Sequence, residues 1–480
     1  MQETELVSLA EKIQRIRTEL PDVEVKSARG GCPKVFDTLS GMANQSGGGV
    51  ILFGLEEAAG FEACGVYDAR DLMVQVSNQC QQMEPELRPL YTVAEFQGKT
   101  LVSAEIPEVE TERKPCYYRG KGRLAGSYIR VGDQDLHMTE YEVYSYEAFR
   151  KKLQDELRPC PRATAMDLDA SRLEEYMLSV RGKKPNLANL DRDRALQMQG
   201  ILSEGRPTLA GMMLFGEYPQ AWFPQFCITA VAVPGTELGE VGAFGDRFKD
   251  NARIEGTLPQ MLDQAMTFVM RNISVATHID PATGRREDRP TYPAVAVREI
   301  LLNALIHRDY SLHTESTPIV LRLFADRLEL ENPGGLYGRM TLDLLGRATA
   351  DTRNPFITAA MELMSLTENR YSGIPTIQRA MREAGLRAPV FEVLRGNFRV
   401  TLYNNRFASV GGTTDLQRQI LDFCGTPRTR EALANRFSEM TIEYFMSHYL
   451  KPLIQQGKIR LSIPEKPRSK YQKYYAQSGE

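Results

Sequence analysis

Helix and strand periods alternate along the first 150 residues. Residues 3–20 repeat apolar positions at helical spacing, and residues 23–26 then alternate as a strand does. A helix pattern at 34–44 ends at the glycines 47–49, which lead into an apolar strand at 50–55. Further patterns are a helix at 68–80 and strands at 91–96, 100–106 and 127–131. We therefore predict an α+β domain over residues 1–155.

Two closely spaced prolines, Pro159 and Pro161, break both helix and sheet and mark a linker. The patterns beyond them predict a second domain over 166–408. Its expected elements are helices at 171–181, 258–272 and 296–310 and strands at 210–215, 226–233, 319–324 and 327–330. Together these elements predict a second domain that contains both helices and strands.

The last 68 residues have a different pattern. Helix patterns at 416–424, 430–437 and 442–456 precede a basic hairpin that ends at Tyr474 and Tyr475. Three short helices followed by a β-hairpin are typical of a winged helix-turn-helix, so we predict this fold for 413–480.

Three polar residues interrupt the apolar helix pattern at 296–310. Glu299, Asn303 and His307 are spaced four residues apart and so share one helix face. An unpaired buried polar group costs roughly 1–3 kcal/mol, so each must find a partner. The stripe favours a ligand site. The alternative is a buried structural network that joins Glu299, Asn303, His307 and Asp309 to the turn at Asn332.

Composition excludes several classes of protein. Charge is nearly balanced, with 59 Lys and Arg against 62 Asp and Glu, so no overall field favours nucleic acid or membrane. Seven scattered cysteines form no Cys-x-x-Cys pair, which favours neither a disulfide framework nor a zinc site. No signal segment or apolar run of about 18–20 residues is evident. We expect a cytoplasmic protein without a membrane partner.

The N-terminal motifs resemble the divergent AlbA-like domain of Schlafen proteins. They are Glu24-x-Lys26, a helix ending at Asn44, and a glycine turn into a strand that ends in Gly54. The resemblance implies binding of DNA or RNA. In some Schlafen proteins it also implies RNA cleavage by an acidic trio, whose matching positions here are Glu19, Glu24 and either Glu56 or Glu57. Clustered carboxylates can hold a divalent metal, whereas Glu24 and Lys26 could instead form a simple ion pair.

Cations near glycine-rich loops are the candidates for nucleic-acid contact in this domain. Backbone N–H groups and positive charge in such loops suit phosphates, although a solvated hairpin has the same composition. The candidates are Lys26, Arg29, Lys34, Arg119, Lys121 and Arg123.

The central motifs resemble the C-terminal ATPase-type domain of RecG-like proteins, which is related to the GHKL fold of gyrase and histidine kinases. They are the helix with Glu299 and Asn303, the turn after Asn332, an Arg353-Asn-Pro segment, and Gly373. The resemblance implies an α/β sandwich. It further implies that Glu299 activates water and that Asn303 holds the Mg²⁺ of bound ATP. It also implies that His307, Asp309, Asn332, Gly334, Gly335 and Gly373 surround the nucleotide.

Three departures shift the expectation from efficient turnover toward binding. Asn332 stands where the related ATPases have the Asp that recognises adenine, and Leu336 replaces a glycine. Tyr371 and Pro375 also flank Gly373 where a glycine run is expected. The chain lacks the phosphate loop of a helicase motor, since Val93 occupies the place of its first glycine.

In a winged helix, the third helix lies in the major groove and the wing contacts phosphates. The corresponding candidates are Tyr444, His448, Lys451, Arg460, Lys466, Arg468 and Lys470. This order of domains resembles bacterial transcriptional regulators. We therefore predict a DNA-binding regulator, as a homodimer, whose central domain binds a nucleotide. The alternatives are a metal-dependent nuclease and a weak ATPase.

Overall fold

The computed structural model describes residues 1–242, 245–279, 286–367, 373–394, 396–404, 415–437, 445–455, 458–463 and 472–476. Contacts divide the chain into two units. The first comprises Met1–Arg382 with Ala388–Asn404, and the second comprises Glu383–Arg387 with Asn405–Glu480. The predicted N-terminal and central domains thus lie together in the first unit.

A four-stranded sheet forms the centre of the N-terminal domain, in the order β1-β2-β7-β6. Its strands are β1 (Val23–Lys26), β2 (Gly49–Phe53), β6 (Leu90–Phe96) and β7 (Lys99–Ile106), with the short pairs β3 (Leu55–Glu56), β4 (Glu62–Ala63), β5 (Met83–Glu84), β8 (Tyr117–Tyr118), β9 (Tyr128–Val131) and β10 (Gln134–His137) beside it. Its helices are α1 (Glu3–Ile16), α2 (Phe36–Asn44), α3 (Ala69–Gln81), α4 (Gly122–Gly126) and α5 (Glu140–Lys151).

Both faces of this sheet are buried, which explains why the sequences of its strands are continuous apolar runs. Ile51 and Phe53 pack into one core with α2 and α3, whereas Leu52 and Val25 pack into a second core with α1. Apolar burial on both sides contributes roughly 1.5–3 kcal/mol for each large side chain. The α+β prediction for this region is confirmed.

The central domain contains a six-stranded sheet in the order β14-β13-β17-β18-β20-β19. Its strands are β13 (Ile228–Ala232), β14 (Asp250–Ile254), β17 (Ile319–Leu323), β18 (Arg327–Pro333), β19 (Val390–Leu394) and β20 (Asn397–Tyr403), beside the pairs β11 (Leu202–Ser203) with β12 (Arg206–Pro207) and β15 (Val275–Ile279) with β16 (Arg286–Pro290). Its helices are α6 (Ala170–Lys183), α7 (Pro185–Ala188), α8 (Arg192–Met198), α9 (Leu209–Phe215), α10 (Leu258–Asn272), α11 (Ala294–His307), α12 (Pro355–Leu363) and α13 (Gly373–Glu383).

Helices α10 and α11 pack on each other and on strands of this sheet, which gives the predicted α/β sandwich. The sheet holds β18 beside β20, with Asn332 opposite Phe398. Because α11 contacts β18, its polar face lies near the end of that strand.

The predicted strand at 210–215 was wrong, because these residues form helix α9. Thr208 begins the helix by accepting a hydrogen bond from the Gly211 N–H, and every residue from Leu209 to Phe215 is buried. An apolar run buried on all sides has no period that separates a helix from a strand.

The second unit contains α14 (Asp415–Phe423), β21 (Arg428–Thr429), α15 (Arg430–Arg436), a π-helical turn at Met446–Leu450 and a helix at Lys451–Gln455. The strands β22 (Ile459–Leu461) and β23 (Lys473–Ala476) follow, in a three-stranded sheet ordered β21-β23-β22. The helices surround a small core that includes Ile420, Leu433 and Phe445. The predicted hairpin is present at β22 and β23.

Candidate functional site

The polar stripe of α11 lies at the wall of a cavity in the central domain. Asn303 Nδ2 donates a hydrogen bond to Glu299 Oε1 at 3.3 Å, so the two side chains form a pair one helical turn apart. The opposite side of α11 is buried through residues such as Val297, Leu301 and Leu305. The helix therefore presents Glu299 and Asn303 on a rigid element, as their spacing predicts.

The inner part of the cavity is apolar and has a volume of about 140 Å³. Its walls include Ile300 of α11, Leu330 of β18, Val400 of β20 and Ile377 of α13. Apolar cavities of roughly 150 Å³ admit a small aromatic ring. This part of the cavity suits a flat heterocycle.

Asn332 is the polar group set into this apolar wall. The residue is 5% exposed, and its Oδ1 is buried and accepts no hydrogen bond from the described residues. A buried amide oxygen without a donor loses free energy that a bound donor would restore. Asn332 thus fits a ligand that carries hydrogen-bonding groups on an aromatic edge.

The outer part is a polar chamber of about 650 Å³ that shares Asn303, His307 and Ile374 with the inner part. Two cations, Arg298 and Arg379, line it, and neither pairs with a carboxylate within the described residues. Several hydroxyl groups complete the lining, contributed by Thr352, Thr358, Ser365, Thr367 and Thr376. Positive charge and hydroxyl donors suit an anionic ligand such as phosphate.

The two arginines of the chamber were missed by sequence reasoning. Arg298 is adjacent to Glu299 on α11, and Arg379 lies on the exposed side of α13. Isolated arginines at such positions carry no motif, and only the packing of α11 against α13 brings them to one chamber.

The glycines of the predicted site play different parts. A Cβ on Gly373 would lie 2.5 Å from Glu299 Oε1, and one on Gly334 would lie 2.4 Å from Arg353 Nη1. Gly334 also has a φ of +107°, which disfavours any other residue. A Cβ on Gly335 would meet no atom within 4 Å. Gly334 and Gly373 thus serve close packing of the protein itself, whereas Gly335 borders open space.

His307 lines both parts of the cavity, so its ring is exposed to the cavity while protein surrounds it. Burial, followed by the positive charge of Arg353, lowers the pKa of His307 below its usual value of 6.5. The imidazole is therefore neutral at pH 7 and can offer one donor and one acceptor to a ligand.

Asp309 lies behind the cavity wall and lines neither part of it. Helix α11 ends at His307, and the extended backbone of Arg308 turns the chain away. Asp309 Oδ2 lies 2.8 Å from Arg353 Nη1 and accepts a hydrogen bond from the Tyr141 hydroxyl at 2.9 Å. Burial opposes ionisation of Asp309, but the charge of Arg353 and the hydrogen bonds from Ser311 and Tyr141 hold its pKa below the usual range. Asp309 thus belongs to a buried network with Arg353 and Tyr141, which is a different set of partners from the one expected as the alternative.

Tyr141, which the sequence did not single out, belongs to α5. Its contact with Asp309 joins the last helix of the N-terminal domain to the end of α11. Arg353 completes this link because its Nη2 donates to the Gly335 carbonyl at 3.1 Å.

The N-terminal acids surround a buried arginine. The Arg130 side chain is fully buried, and its Nη1 lies 2.9 Å from Glu24 Oε2 and 3.3 Å from Asp135 Oδ1. Glu24 also pairs with Lys26, and Glu19 Oε2 lies 3.7 Å from Arg130 Nη2. Glu19 and Glu24 thus neutralise a protein cation.

Glu56 ends β3 and Glu57 begins the short helical turn that follows it. Among the described residues, no group of three or more His, Cys, Asp or Glu side chains is placed to hold a metal ion.

The candidate cations of the N-terminal domain fall into two groups. Lys26, Arg119, Lys121 and Arg123 pair with the carboxylates of Glu24, Glu84, Asp37 and Glu147 respectively. Arg29 and Lys34 are exposed and form no ion pair in the part of the chain that the structure describes. These two remain available to a phosphate backbone.

In the second unit, Lys451 and Arg460 are exposed. Tyr444, Lys466, Arg468 and Lys470 lie outside the described residues, as does the side chain of His448.

The structure defines a class of protein in which an α/β sandwich with a two-part cavity follows an α+β domain. Residues 316–402 match the family described as "Putative ATP-dependent DNA helicase recG C-terminal", and residues 19–139 match "Schlafen, AlbA_2". The chain thus contains a Schlafen/AlbA-like domain and a RecG C-terminal-type ATPase domain, as its motifs predict.

Two further family models match. Residues 146–229 match a domain of unknown function, and residues 418–475 match the C-terminal domain of proteins similar to Fic, the protein of filamentation induced by cAMP.

Two solved structures are similar to the chain. The DIP2311 protein of Corynebacterium diphtheriae is 20% identical, with 90% of each chain covered and a TM-score of 0.40. The N-terminal domain of a "Putative ATP-dependent DNA Helicase RecG-related Protein" of Nitrosomonas europaea is 25% identical over 28% of this chain and 93% of that domain, with a TM-score of 0.23. No curated protein matches the chain.

Of the helices in the described ranges, none has the length and apolar character needed to cross a membrane.

Proposed function

We propose that this protein is a DNA-binding regulator whose central domain binds a purine nucleotide such as ATP. The observation that carries the proposal is the two-part cavity. Its apolar part contains the Asn332 side chain, and its polar part is lined by two arginines that pair with no carboxylate among the described residues. A base fits the first part and phosphates fit the second. The RecG C-terminal-type and Schlafen/AlbA-like domains suggest ATPase-like and nucleic-acid-binding functions respectively.

The residues present also fit Mg²⁺. The Glu299 carboxylate and the Asn303 carbonyl supply the oxygen ligands that this ion prefers, and Asn303 keeps its Oδ1 available because it donates to Glu299 through Nδ2. Bound Mg²⁺ would neutralise phosphate charge. Around it, Glu299 would orient a water molecule, and Arg298 and Arg379 would hold the phosphates.

Calorimetric titration of the full chain with ATP, ADP, adenosine and tripolyphosphate, each with Mg²⁺, tests nucleotide binding. ATP and ADP should bind with saturation, and ATP should bind more tightly than adenosine or tripolyphosphate, because each of those fills only one part of the cavity. Absence of heat with ATP and ADP from a folded protein would overturn the proposal.

Weak ATP hydrolysis is the second candidate, and the pairing of Glu299 with Asn303 favours it. Wild-type protein should release phosphate from ATP and Mg²⁺, and Glu299→Ala should not. Glu362→Ala, which removes an exposed carboxylate on α12, is the matched control. Equal rates in the wild type and Glu299→Ala would exclude hydrolysis at this site.

For nucleic-acid binding, the exposed Arg29 and Lys34 and the cations of the second unit support DNA as the partner. The helix, strand and hairpin order of the second unit supports a winged helix. Two linked modules of modest affinity bind DNA more tightly together than apart, because each raises the effective concentration of the other. A homodimer would present two copies of this pair of modules to the DNA. We do not propose the nuclease, because Arg130 and Lys26 occupy Glu24.

A further inference from the structure

Tyr141 belongs to the N-terminal domain, yet its hydroxyl group contacts the residues that hold one wall of the central cavity. We infer that Tyr141 is a positioning residue of the nucleotide site, which acts through Asp309 and Arg353 on the turn at Gly335. The inference rests on the proposed nucleotide binding, and it adds that the affinity of the central domain depends on helix α5 of the N-terminal domain.

The wall concerned is the turn that follows β18. Four of its residues line the inner, apolar part of the cavity, namely Gly334, Gly335, Leu336 and Tyr337. Because this part has a volume of only about 140 Å³, a shift of its wall by a fraction of an ångström changes the contacts that a ligand can make. A ligand therefore binds most tightly when the turn is already held in place.

Arg353 lines neither part of the cavity but binds this turn. Its Nη2 donates to the Gly335 carbonyl at 3.1 Å, and its guanidinium group lies over the Tyr337 ring, 5.0 Å from the ring centroid. The Arg353 side chain is 9% exposed, so its charge needs a partner within the protein. Asp309 Oδ2, at 2.8 Å from Arg353 Nη1, is that partner. The position of the turn thus depends on where the Asp309 carboxylate holds Arg353.

The two oxygens of Asp309 are fixed by different parts of the chain. Oδ1 accepts a hydrogen bond from the Ser311 N–H at 2.8 Å, within the same loop. Oδ2, the oxygen that faces Arg353, accepts from the Tyr141 hydroxyl at 2.9 Å. Burial raises the pKa of Tyr141 to about 12, so the hydroxyl keeps its proton at pH 7 and can donate it. Tyr141 therefore fixes this oxygen from outside the central domain.

Helix α5 also packs against the turn through ring contacts. The rings of Phe149 and Tyr337 meet edge to face, with their centroids 5.5 Å apart. A Cβ on Gly396 would lie 3.6 Å from the Tyr141 ring, and the Gly396 carbonyl accepts from the Gly334 N–H at 2.9 Å. The helix is thus placed to fix the turn by packing as well as through the Tyr141 hydroxyl.

Calorimetric titration of the full-length Tyr141→Phe variant with ATP, adenosine and tripolyphosphate, each with Mg²⁺, tests the inference. Phenylalanine keeps the ring beside Gly396 and removes only the hydroxyl group. ATP and adenosine should bind about threefold to tenfold more weakly than to wild type, because the wall of the inner part is held less firmly. Tripolyphosphate, which fits the polar chamber, should bind within about twofold of wild type.

A purely structural role for Tyr141 would lower the melting temperature and leave all three affinities of the folded protein unchanged, and this result would overturn the inference. An equal loss for ATP and tripolyphosphate would overturn it too, because the effect would not be confined to the inner part. Tyr91→Phe is the matched control. Tyr91 is a half-buried tyrosine of β6 whose hydroxyl lies 2.8 Å from Ser77 Oγ, and it lines neither part of the cavity. This control should bind all three ligands as wild type does.

A second variant tests the route through Arg353. Arg353→Lys keeps a positive charge but loses the planar group that lies over Tyr337. Adding Tyr141→Phe to this variant should weaken ATP binding by less than about twofold further, because the two residues act in one chain of contacts. A further loss as large as that in the wild-type background would overturn the inference. If ATP does not bind folded wild type, the proposed function fails, whereas ATP binding that is unchanged in Tyr141→Phe removes only the inference.

Discussion

Gly373 begins α13 and lies directly against the polar pair of α11. An added Cβ would approach Glu299 Oε1 to 2.5 Å and Asn303 Nδ2 to 2.9 Å, so both side chains would have to move. We predict that Gly373→Ala weakens ATP binding in the presence of Mg²⁺ by about tenfold, a loss of roughly 1.4 kcal/mol, as calorimetry would measure. Gly182→Ala is the matched control, because a Cβ on that exposed glycine meets no atom within 4 Å. Equal affinities in the two variants would contradict this role for Gly373.

Glu19 provides a test by pH in the N-terminal domain. Burial, together with the charge of Glu24, raises the pKa of Glu19 to about 7 from 4.5, although the Val25 N–H and Arg130 favour its ionised form. Because the folded protein holds this proton more tightly than the unfolded chain, the stability from Glu19 is present below pH 4.5 and is lost as pH rises toward 7.

The Glu19→Gln variant keeps an oxygen that can accept from the Val25 N–H, and it does not titrate. We predict that its melting temperature, measured on the full chain, falls less than that of wild type between pH 5 and pH 7.5. The difference should be roughly 1 °C, which corresponds to about 1 kcal/mol for a folding unit of this size. Glu11→Gln, at an exposed residue of α1, should keep the wild-type profile, and a steeper profile for Glu19→Gln would show that Arg130 needs this carboxylate.

Among single residues, the sequence identified Glu299 and Asn303 because their spacing belongs to one helix face. Asp309 also has a polar side chain, and the predicted helix, which reached residue 310, would have placed it near the cavity. Helix α11 in fact ends at His307, so Asp309 lies beyond the helix. Asn354 closes that end by donating to the carbonyls of Ile306 and Arg308. A cap supplied from 46 residues away leaves no local signal in the sequence.

At the scale of elements, Glu156 caps helix α12 from a distant segment. The buried Glu156 carboxylate accepts hydrogen bonds from the Phe356 and Ile357 N–H groups at 2.9 and 2.8 Å. These N–H groups lie in the first turn of α12, where they have no partner within the helix. The contact fixes α12 to the segment that follows α5.

We predict that Glu156→Ala destabilises the protein by about 1–3 kcal/mol, because two buried backbone donors lose their acceptor. Glu156→Gln should cost less, since one acceptor oxygen remains. Thermal unfolding of both variants measures the effect, with the exposed Glu174→Ala on α6 as the control. A Glu156→Ala protein as stable as the control would show that water satisfies these donors.

Elements with a clear period were predictable, and fully buried ones were not. Strands β1 and β2 and helices α10 and α11 appear near their predicted positions because each has a polar side or flanking turn residues. Helix α9 is apolar at nearly every position, so its sequence suits a buried strand equally well. Whether residues 209–215 form a helix or a strand depends on the Thr208 cap and on tertiary packing.

At the scale of the whole molecule, DNA binding should depend steeply on salt. Arg29 and Lys34 are exposed and unpaired within the described residues, whereas Arg119 already pairs with Glu84 and Glu86. We predict that replacing both Arg29 and Lys34 with alanine weakens binding to duplex DNA and lowers the slope of log affinity against log salt by roughly 2. Arg119→Ala should change that slope by less. A wild-type affinity that does not change with salt would argue against phosphate contacts.

The sequence separated the N-terminal and central domains at the prolines, yet their contacts make them one unit. The reason is that α5 and the segment after it supply Tyr141 and Glu156 to partners in the central domain. Contacts between residues 168 and 200 positions apart are invisible to any local pattern.

The buried contact between Tyr141 and Asp309 also limits how such a protein can be recombined. A chimera joined at residue 139, where the Schlafen/AlbA_2 match ends, would keep α5 with its own central domain and preserve the phenol beside Asp309. A chimera joined at the prolines would import a foreign α5 and leave Asp309 and Arg353 without that partner. The unit that should be exchanged in a chimera is therefore the central domain together with α5, the helix that precedes the linker.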